Sequence, residues 1–208
     1  MNDKNYWLQS PERWFSVKGA LFNPVRFFLA QRDRKVTKIL QQYSWNSLCD
    51  VGCGSGDYLT SFANKEKIIG VDYSEKMLSL AKKNKQNNFH LCCGNATQIP
   101  LKNNAVDALV AIGLTDYLNN IEPFLKECFR IAKHTIIFTA PSTYSPFFFL
   151  RFHPFLFFRR HFLGIPNIDN SYTKERLIHL LNKHNIKQKE IFNFFGTMWL
   201  VVGVKHEL

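Results

Sequence analysis

Apolar residues recur along this chain in two alternating rhythms. The segment "NPVRFFLAQRDRKVTKILQQY" (23–43) spaces Phe28, Val36, Ile39, Leu40 and Tyr43 as one helical face with cations opposite, which predicts an amphipathic helix. Short apolar runs then alternate with helical patterns. "SLCDV" reads as a strand and "GDYLTSFANK" as a helix; "KIIGV" is a strand, and "SEKMLSLAKKNK" a helix with Ser74 as its N-cap. "FHLCC" and "AVDALVAIG" read as strands, "EPFLKECFRIAK" as a helix and "TIIFTA" as a strand. The end differs, with the helix "TKERLIHLLNKHN" followed by "KQKEIFNFF" and "MWLVVGVK" as a closing hairpin. The alternation predicts an α/β fold, a parallel sheet with helices on both faces.

The turn that leaves the first strand carries the first chemical signal. "LCDVGCGSGDYL" removes side chains at Gly52, Gly54 and Gly56, so a ligand is expected to approach the backbone there. In an open parallel sheet, ligands bind where strands end and strand order reverses, and a glycine turn into a helix offers N–H groups to them. Asp72 ends the next strand, where a carboxylate can accept from both hydroxyls of a ribose. Two ligand classes share this arrangement. The dinucleotide fingerprint G-x-G-x-x-G/A needs a small last residue for helix packing, and Asp57 stands at that place. The pattern here is G-x-G-x-G preceded by Asp50.

With these motifs the chain resembles the class I S-adenosylmethionine-dependent methyltransferases, in particular the small-molecule branch related to the quinone-biosynthesis enzymes (the type 11 domain). The resemblance covers about residues 45–141: "LCDVGCGSG" is similar to the family's first motif, "IIGVDYSEKML" to its second, and "CGNATQIPLKNNAVDALVAIG" to its third and fourth. It implies a Rossmann-like, doubly wound seven-stranded sheet, mostly parallel with an antiparallel C-terminal hairpin strand. N-terminal helices and an aromatic insertion after the fifth strand complete that picture. It also implies S-adenosyl-L-methionine as cofactor. Asp50, Gly52 and Gly54, with Gly56 in the same turn, would surround its methionine end. Asp72 would hold the ribose, and Tyr73 and Met77 would flank the adenine. Asn95 and Ala96 would meet the adenine edge, and the backbone at Ile112 would accept from the methionine ammonium. Two departures stand out. Asn95 replaces the usual acid while keeping an acceptor for the adenine amino group, and the Pro-Gly-Gly turn before the fifth strand is missing from "RIAKHTIIF".

Methyl transfer from a sulfonium is an in-line displacement, so positioning supplies much of the acceleration. A base is needed only where the acceptor must lose a proton. Asp116 and Tyr117 in "GLTDYL" fall where relatives often place a polar group facing the methyl. The plainer reading is that Asp116 caps the following helix and Tyr117 packs. His153 and His161 are further candidate bases, although a surface histidine is the commoner case.

Composition bounds the rest. No repeat or Gly/Ser linker divides the 208 residues, so one domain is expected: a helical cap (1–44), a cofactor-binding core (45–141), an aromatic basic lid (142–170) and a closing helix and hairpin (171–208). The five cysteines are odd in number and lack metal-ligand spacing, so no metal is expected. The opening "MNDKNYWLQSPERW" has no apolar signal core, and the expected location is cytoplasmic. The net charge of +11 divides as +5 over residues 1–47 (eight cations, three acids), +1 over 48–145 (ten, nine) and +5 over 146–208 (nine, four). Within "PFFFLRFHPFLFFRRHFL" (146–163) stand eight of the twenty phenylalanines, interrupted by Arg151, His153, Arg159, Arg160 and His161 and broken by Pro154. That is no membrane-spanning helix. Phe152, Arg159 and Arg160 there are candidates to touch a hydrophobic acceptor or an anionic membrane at the inner face; the alternative is that these phenylalanines complete the core.

The expected activity is methyl transfer to a small, lipophilic acceptor, possible at a membrane surface. A basic chain also fits an RNA or other nucleic-acid methyltransferase, but "IGLTDY" lacks the Asn-Pro-Pro-Tyr-like tetrapeptide of base-amino enzymes. A non-catalytic adaptor keeping the cofactor fold is a third reading, and a nicotinamide oxidoreductase a distant one.

Overall fold

The computed structural model describes residues 24–56, 58–62, 64–83, 88–143, 171–194 and 196–205. Helix α1 (Pro24–Leu40) opens on a proline, which is tolerated in a first turn because the missing N–H has no helical partner there. It buries Arg32, Val36, Ile39 and Leu40, spaced at i, i+4, i+7 and i+8. The stripe is therefore not wholly apolar, nor are all cations opposite it, because Arg32 lies on it.

Seven strands form one sheet: β1 (Ser47–Val51), β2 (Lys67–Asp72), β3 (Phe89–Cys93), β4 (Val106–Ala111), β5 (Ala132–Pro141), β6 (Ile186–Phe194) and β7 (Met198–Lys205). Their order is β3-β2-β1-β4-β5-β7-β6. Strands β1 to β5 pair in parallel, while β7 runs antiparallel to both β5 and β6. The expected Rossmann-like sheet is thus the observed one, with a single reversed strand. The order turns back between β1 and β4, so a crevice opens beyond their carboxyl ends.

Alternation along the strands sends side chains to two cores. On one face Cys49, Val51, Leu109 and Ile136 pack with α3 (Glu122–Ile131) and α4 (Lys174–Lys183); on the other Leu48, Ala108, Val110 and Ile137 pack with α1. Helix α3 buries Phe124, Leu125, Cys128 and Ile131, each such side chain contributing about 1.5–3 kcal/mol of transfer free energy. Helix α2 (Glu75–Lys83) begins where Ser74 Oγ accepts from the Met77 N–H, the expected N-cap.

The stretch "GDYLTSFANK" departs from expectation. Only a 3-10 turn, Leu59–Phe62, forms among its described residues. Gly56 N–H donates to Cys53 O and Leu59 N–H to Gly56 O, both i to i+3 closures, and Gly56 at φ +77° interrupts a helical course. The expected aromatic insertion, with Phe152, Arg159, Arg160, His153 and His161, lies outside the described residues, as does the side chain of Phe28. Among the described residues no helix is long and apolar enough to cross a membrane.

Candidate active site

A cavity of about 710 Å³ fills the crevice beyond β1 and β4. It brings together Asp50, Gly52, Gly54, Asp72, Tyr73, Met77, Asn95, Ala96 and Ile112, residues spread over almost a third of the sequence. Tyr117 lines it as well; Gly56 and Asp116 are not among its lining residues.

The glycine turn is built around its backbone. Gly52, Gly54 and Gly56 adopt φ of +79°, +55° and +77°, a region that β-carbons disfavour. At Gly52 a β-carbon would also come within 3.1 Å of Leu114 Cδ1. Gly56 serves packing, since a β-carbon there would meet Ala81 of α2 at 3.1 Å.

Four N–H groups of this turn, those of Gly52, Cys53, Gly54 and Gly56, are spent inside the protein. Gly52 N–H (2.7 Å) and Cys53 N–H (3.1 Å) both donate to Val71 O, and Gly56 N–H donates to Cys53 O (2.9 Å). Gly54 N–H donates to Asp72 Oδ2 at 2.8 Å. The following element is a 3-10 turn of four residues, too short for a useful helix dipole. The expectation that this turn offers N–H donors to its ligand is therefore corrected. A pyrophosphate would need those donors; a ligand without phosphate would not.

Asp72 is held from two sides. Ser74 N–H donates to its Oδ1 at 2.8 Å while Gly54 N–H holds Oδ2. These bonds favour the carboxylate, but burial outweighs them and raises its pKa. Asp50 is 3% exposed and its pKa is pushed up to about 7, first by burial, then by the charges of Asp72 and Asp33, against the lowering effect of Arg32. Two acids, neither in a salt bridge among the described residues, thus face the cavity from β1 and β2, an arrangement that suits a cationic ligand.

At the other end of the crevice, Met77 is buried and Tyr73 is 51% exposed at the rim. Asn95 is turned inward: its Oδ1 accepts from both Thr97 N–H and Thr97 Oγ1, each at 3.0 Å. Both lone pairs are occupied, so the side chain offers its Nδ2 donor rather than the acceptor expected from the sequence. Beyond β4, Gly113 N–H donates to Thr139 Oγ1 (2.7 Å) and Thr115 Oγ1 to Thr139 O (2.6 Å), which locks the loop after Ile112 onto β5.

Asp116 sits in a 3-10 turn, Thr115–Tyr117, and does not cap α3. The N-cap is Ile121, which makes no side-chain cap bond, and one residue earlier Asn120 Oδ1 accepts from Glu122 N–H at 2.9 Å. Burial pushes the Asp116 pKa up to about 6, and Arg32 opposes the shift.

Sequence reading missed one whole wall. Helix α1 lines the cavity with Arg32, Asp33, Arg34, Thr37 and Lys38, and Tyr58 joins it. Arg32 Nε and Nη2 both bond to Asp33 Oδ1, at 2.8 and 2.7 Å. The signal available in the sequence was a charge at position 32, i−4 from Val36 on the stripe that α1 buries. Among the described residues no group of acids, histidines and cysteines is placed to hold a metal ion.

Residues 49–138 match the methyltransferase domain family. Demethylmenaquinone methyltransferases are similar over the same region: that of Oceanobacillus iheyensis is 38% identical over 95 residues, 40% of this chain and 39% of that protein. That of Lactococcus lactis is 32% identical over 111 residues, 48% of this chain and 42% of that protein. The chain thus spans about two fifths of the length of these curated relatives. Among solved structures, magnesium protoporphyrin IX methyltransferase from Synechocystis PCC 6803 with bound S-adenosylhomocysteine superposes with a TM-score of 0.74 at 15% identity, covering 98% of both chains. A possible histamine N-methyltransferase from Thermotoga maritima gives 0.68 at 19% identity, again over 98% of both. In this domain match and in its fold the chain is similar to the S-adenosylmethionine-dependent methyltransferases.

Proposed function

We propose that this protein transfers a methyl group from S-adenosyl-L-methionine to a small, lipophilic acceptor, met at an anionic membrane surface. The observation that carries the cofactor reading is the spent glycine turn. Its N–H groups serve Val71 O, Cys53 O and Asp72 rather than a phosphate, while Asp50 and Asp72 leave carboxylates facing the cavity. A nucleoside that carries positive charge and no phosphate matches both features; a nicotinamide dinucleotide matches neither.

S-adenosyl-L-methionine supplies the transferable methyl group when bound. Asp72, already fixed by two N–H donors, takes the ribose hydroxyls. Tyr73 and Met77 cover the adenine, Ala96 borders its edge, and Asn95 donates there from Nδ2. Asp50, with the bare backbone at Gly52 and Gly54, balances the charge at the methionine end, beside the Ile112 carbonyl. Tyr117 faces the acceptor space. Asp116 acts on the charge balance around Arg32 rather than on the acceptor itself.

Support for a lipophilic acceptor comes from the relatives named as demethylmenaquinone methyltransferases and from the porphyrin enzyme with the same fold. Support for the membrane comes from the excess of +5 in each flank of the sequence and from Phe27, 65% exposed on α1.

Incubation of lipid and aqueous extracts, and of bulk RNA, with cofactor labelled on the methyl group tests the reading. Label is expected in the organic phase. Label in RNA alone would replace the lipophilic acceptor with a nucleic acid, and label in no fraction would favour an adaptor.

A further inference from the structure

The cavity divides its charge between its walls. The strand-end loops contribute Asp50 and Asp72 and no cation, whereas α1 contributes Arg32, Arg34 and Lys38 against Asp33 alone. Arg34 and Lys38 are exposed on the helix; Arg32 is not, with 8% of its surface accessible. Among the described residues none of its nitrogens is a fully buried atom without a partner, so a nitrogen that lacks a protein partner keeps some open surface. Two of its three nitrogens are bound, Nε and Nη2, both to Asp33 Oδ1. Nη1 has no hydrogen-bond partner among the described residues, and it lies 3.5 Å from where a β-carbon on Gly113 would stand. Gly113 lines the cavity next to Ile112. Asp33 therefore holds the fork at one edge and leaves its free corner beside Gly113, in the cavity beyond the end of β4.

We propose that Arg32 anchors an anionic oxygen on the methyl acceptor, so that the acceptor class is a lipophilic acid. The inference rests on the methyltransferase reading above and narrows its substrate. Planar donors in a fixed fork suit a carboxylate or an acidic hydroxyl better than a neutral carbonyl. The apolar and aromatic neighbours Ala30, Tyr58, Tyr117 and Leu118 that also line the cavity suit the hydrocarbon part. Asp50 and Asp116 feel the same guanidinium through space, but of the acids only Asp33 bonds to it among the described residues. The cofactor's own carboxylate is the other source of an anionic oxygen, and the test separates the two.

Binding of 2-naphthoate and of 2-naphthamide, one ring system with and without the charge, is measured on the full chain saturated with S-adenosylhomocysteine. The wild-type protein is expected to favour the acid by at least about tenfold, the scale of one charge-assisted hydrogen bond. Arg32→Gln is expected to bring the two within about threefold of each other, with S-adenosylhomocysteine affinity changed by less than about threefold. Arg32→Lys, which keeps the charge without the fork, should fall between them. Absence of the preference in the wild-type protein overturns the proposal without recourse to any variant. A loss of about tenfold or more in S-adenosylhomocysteine affinity on Arg32→Gln also overturns it, by assigning the guanidinium to the cofactor. In either case retained S-adenosylhomocysteine binding by the wild-type protein leaves the methyltransferase reading standing.

Discussion

Asp50 and Asp72 end neighbouring strands, and their environments make them a charge sensor for the crevice. A buried acid whose folded pKa lies above its unfolded value holds its proton more tightly when folded. Its penalty is absent below the ordinary carboxylate range, grows as pH rises, and is complete above the folded pKa. For Asp50 that window runs from 3.8 to about 7, and Asp72 and Asp116 add shifts of the same sign. The ligand-free protein is therefore expected to melt at a lower temperature at pH 7.5 than at pH 5, by at least about 3 °C for a chain of this size. Asp50→Asn should remove a large part of the difference while leaving a remainder from the other two acids. A pH-independent melting temperature in the parent protein would contradict the buried-acid account. At this scale Asp50 and Asp72 were legible because a glycine turn and a strand end mark them. The inward turn of Asn95 was not, because Thr97 decides it and the hydroxyl two residues on carries no signal of its own.

The strands and long helices were readable because their side chains alternate or recur against two cores. The antiparallel β7 reflects a hairpin too short to cross over the sheet. Two elements resisted. After Gly56 the apolar spacing of Leu59 and Phe62 suits a helix, but the positive φ of the glycine and its packing on Ala81 leave room for a 3-10 turn only. On α1, Val36, Ile39 and Leu40 marked the buried face, and Arg32 within it passed as one cation among several. Only the register of the helix against the cavity distinguishes Arg32 from Arg34 and Lys38. A charged residue on a stripe of this kind is better read as a site than as an irregularity, because Arg32 lines the cavity and Asp33 takes only two of its three nitrogens among the described residues.

Across the whole molecule, near-neutral strands and loops lie between two basic flanks, and the cavity opens beside α1, the described part of one of them. That distribution is expected to recruit the protein to anionic vesicles, with binding lost between low and high salt as screening shortens the reach of each charge. Equal recovery in the supernatant with anionic and zwitterionic vesicles would remove the membrane from the account and leave the lipophilic acceptor intact. The sheet and the likeness to methyltransferases were legible from three motifs in sequence; the cavity's second wall was not, since it is assembled from a helix that the motifs do not include. The most direct test of the account is a calorimetric titration with S-adenosylhomocysteine. Saturable binding is predicted for the parent protein, weakened by about ten- to a hundredfold in Asp72→Ala, the scale of losing charge-assisted bonds to a ribose. No binding, or an affinity that Asp72→Ala leaves unchanged, would contradict it.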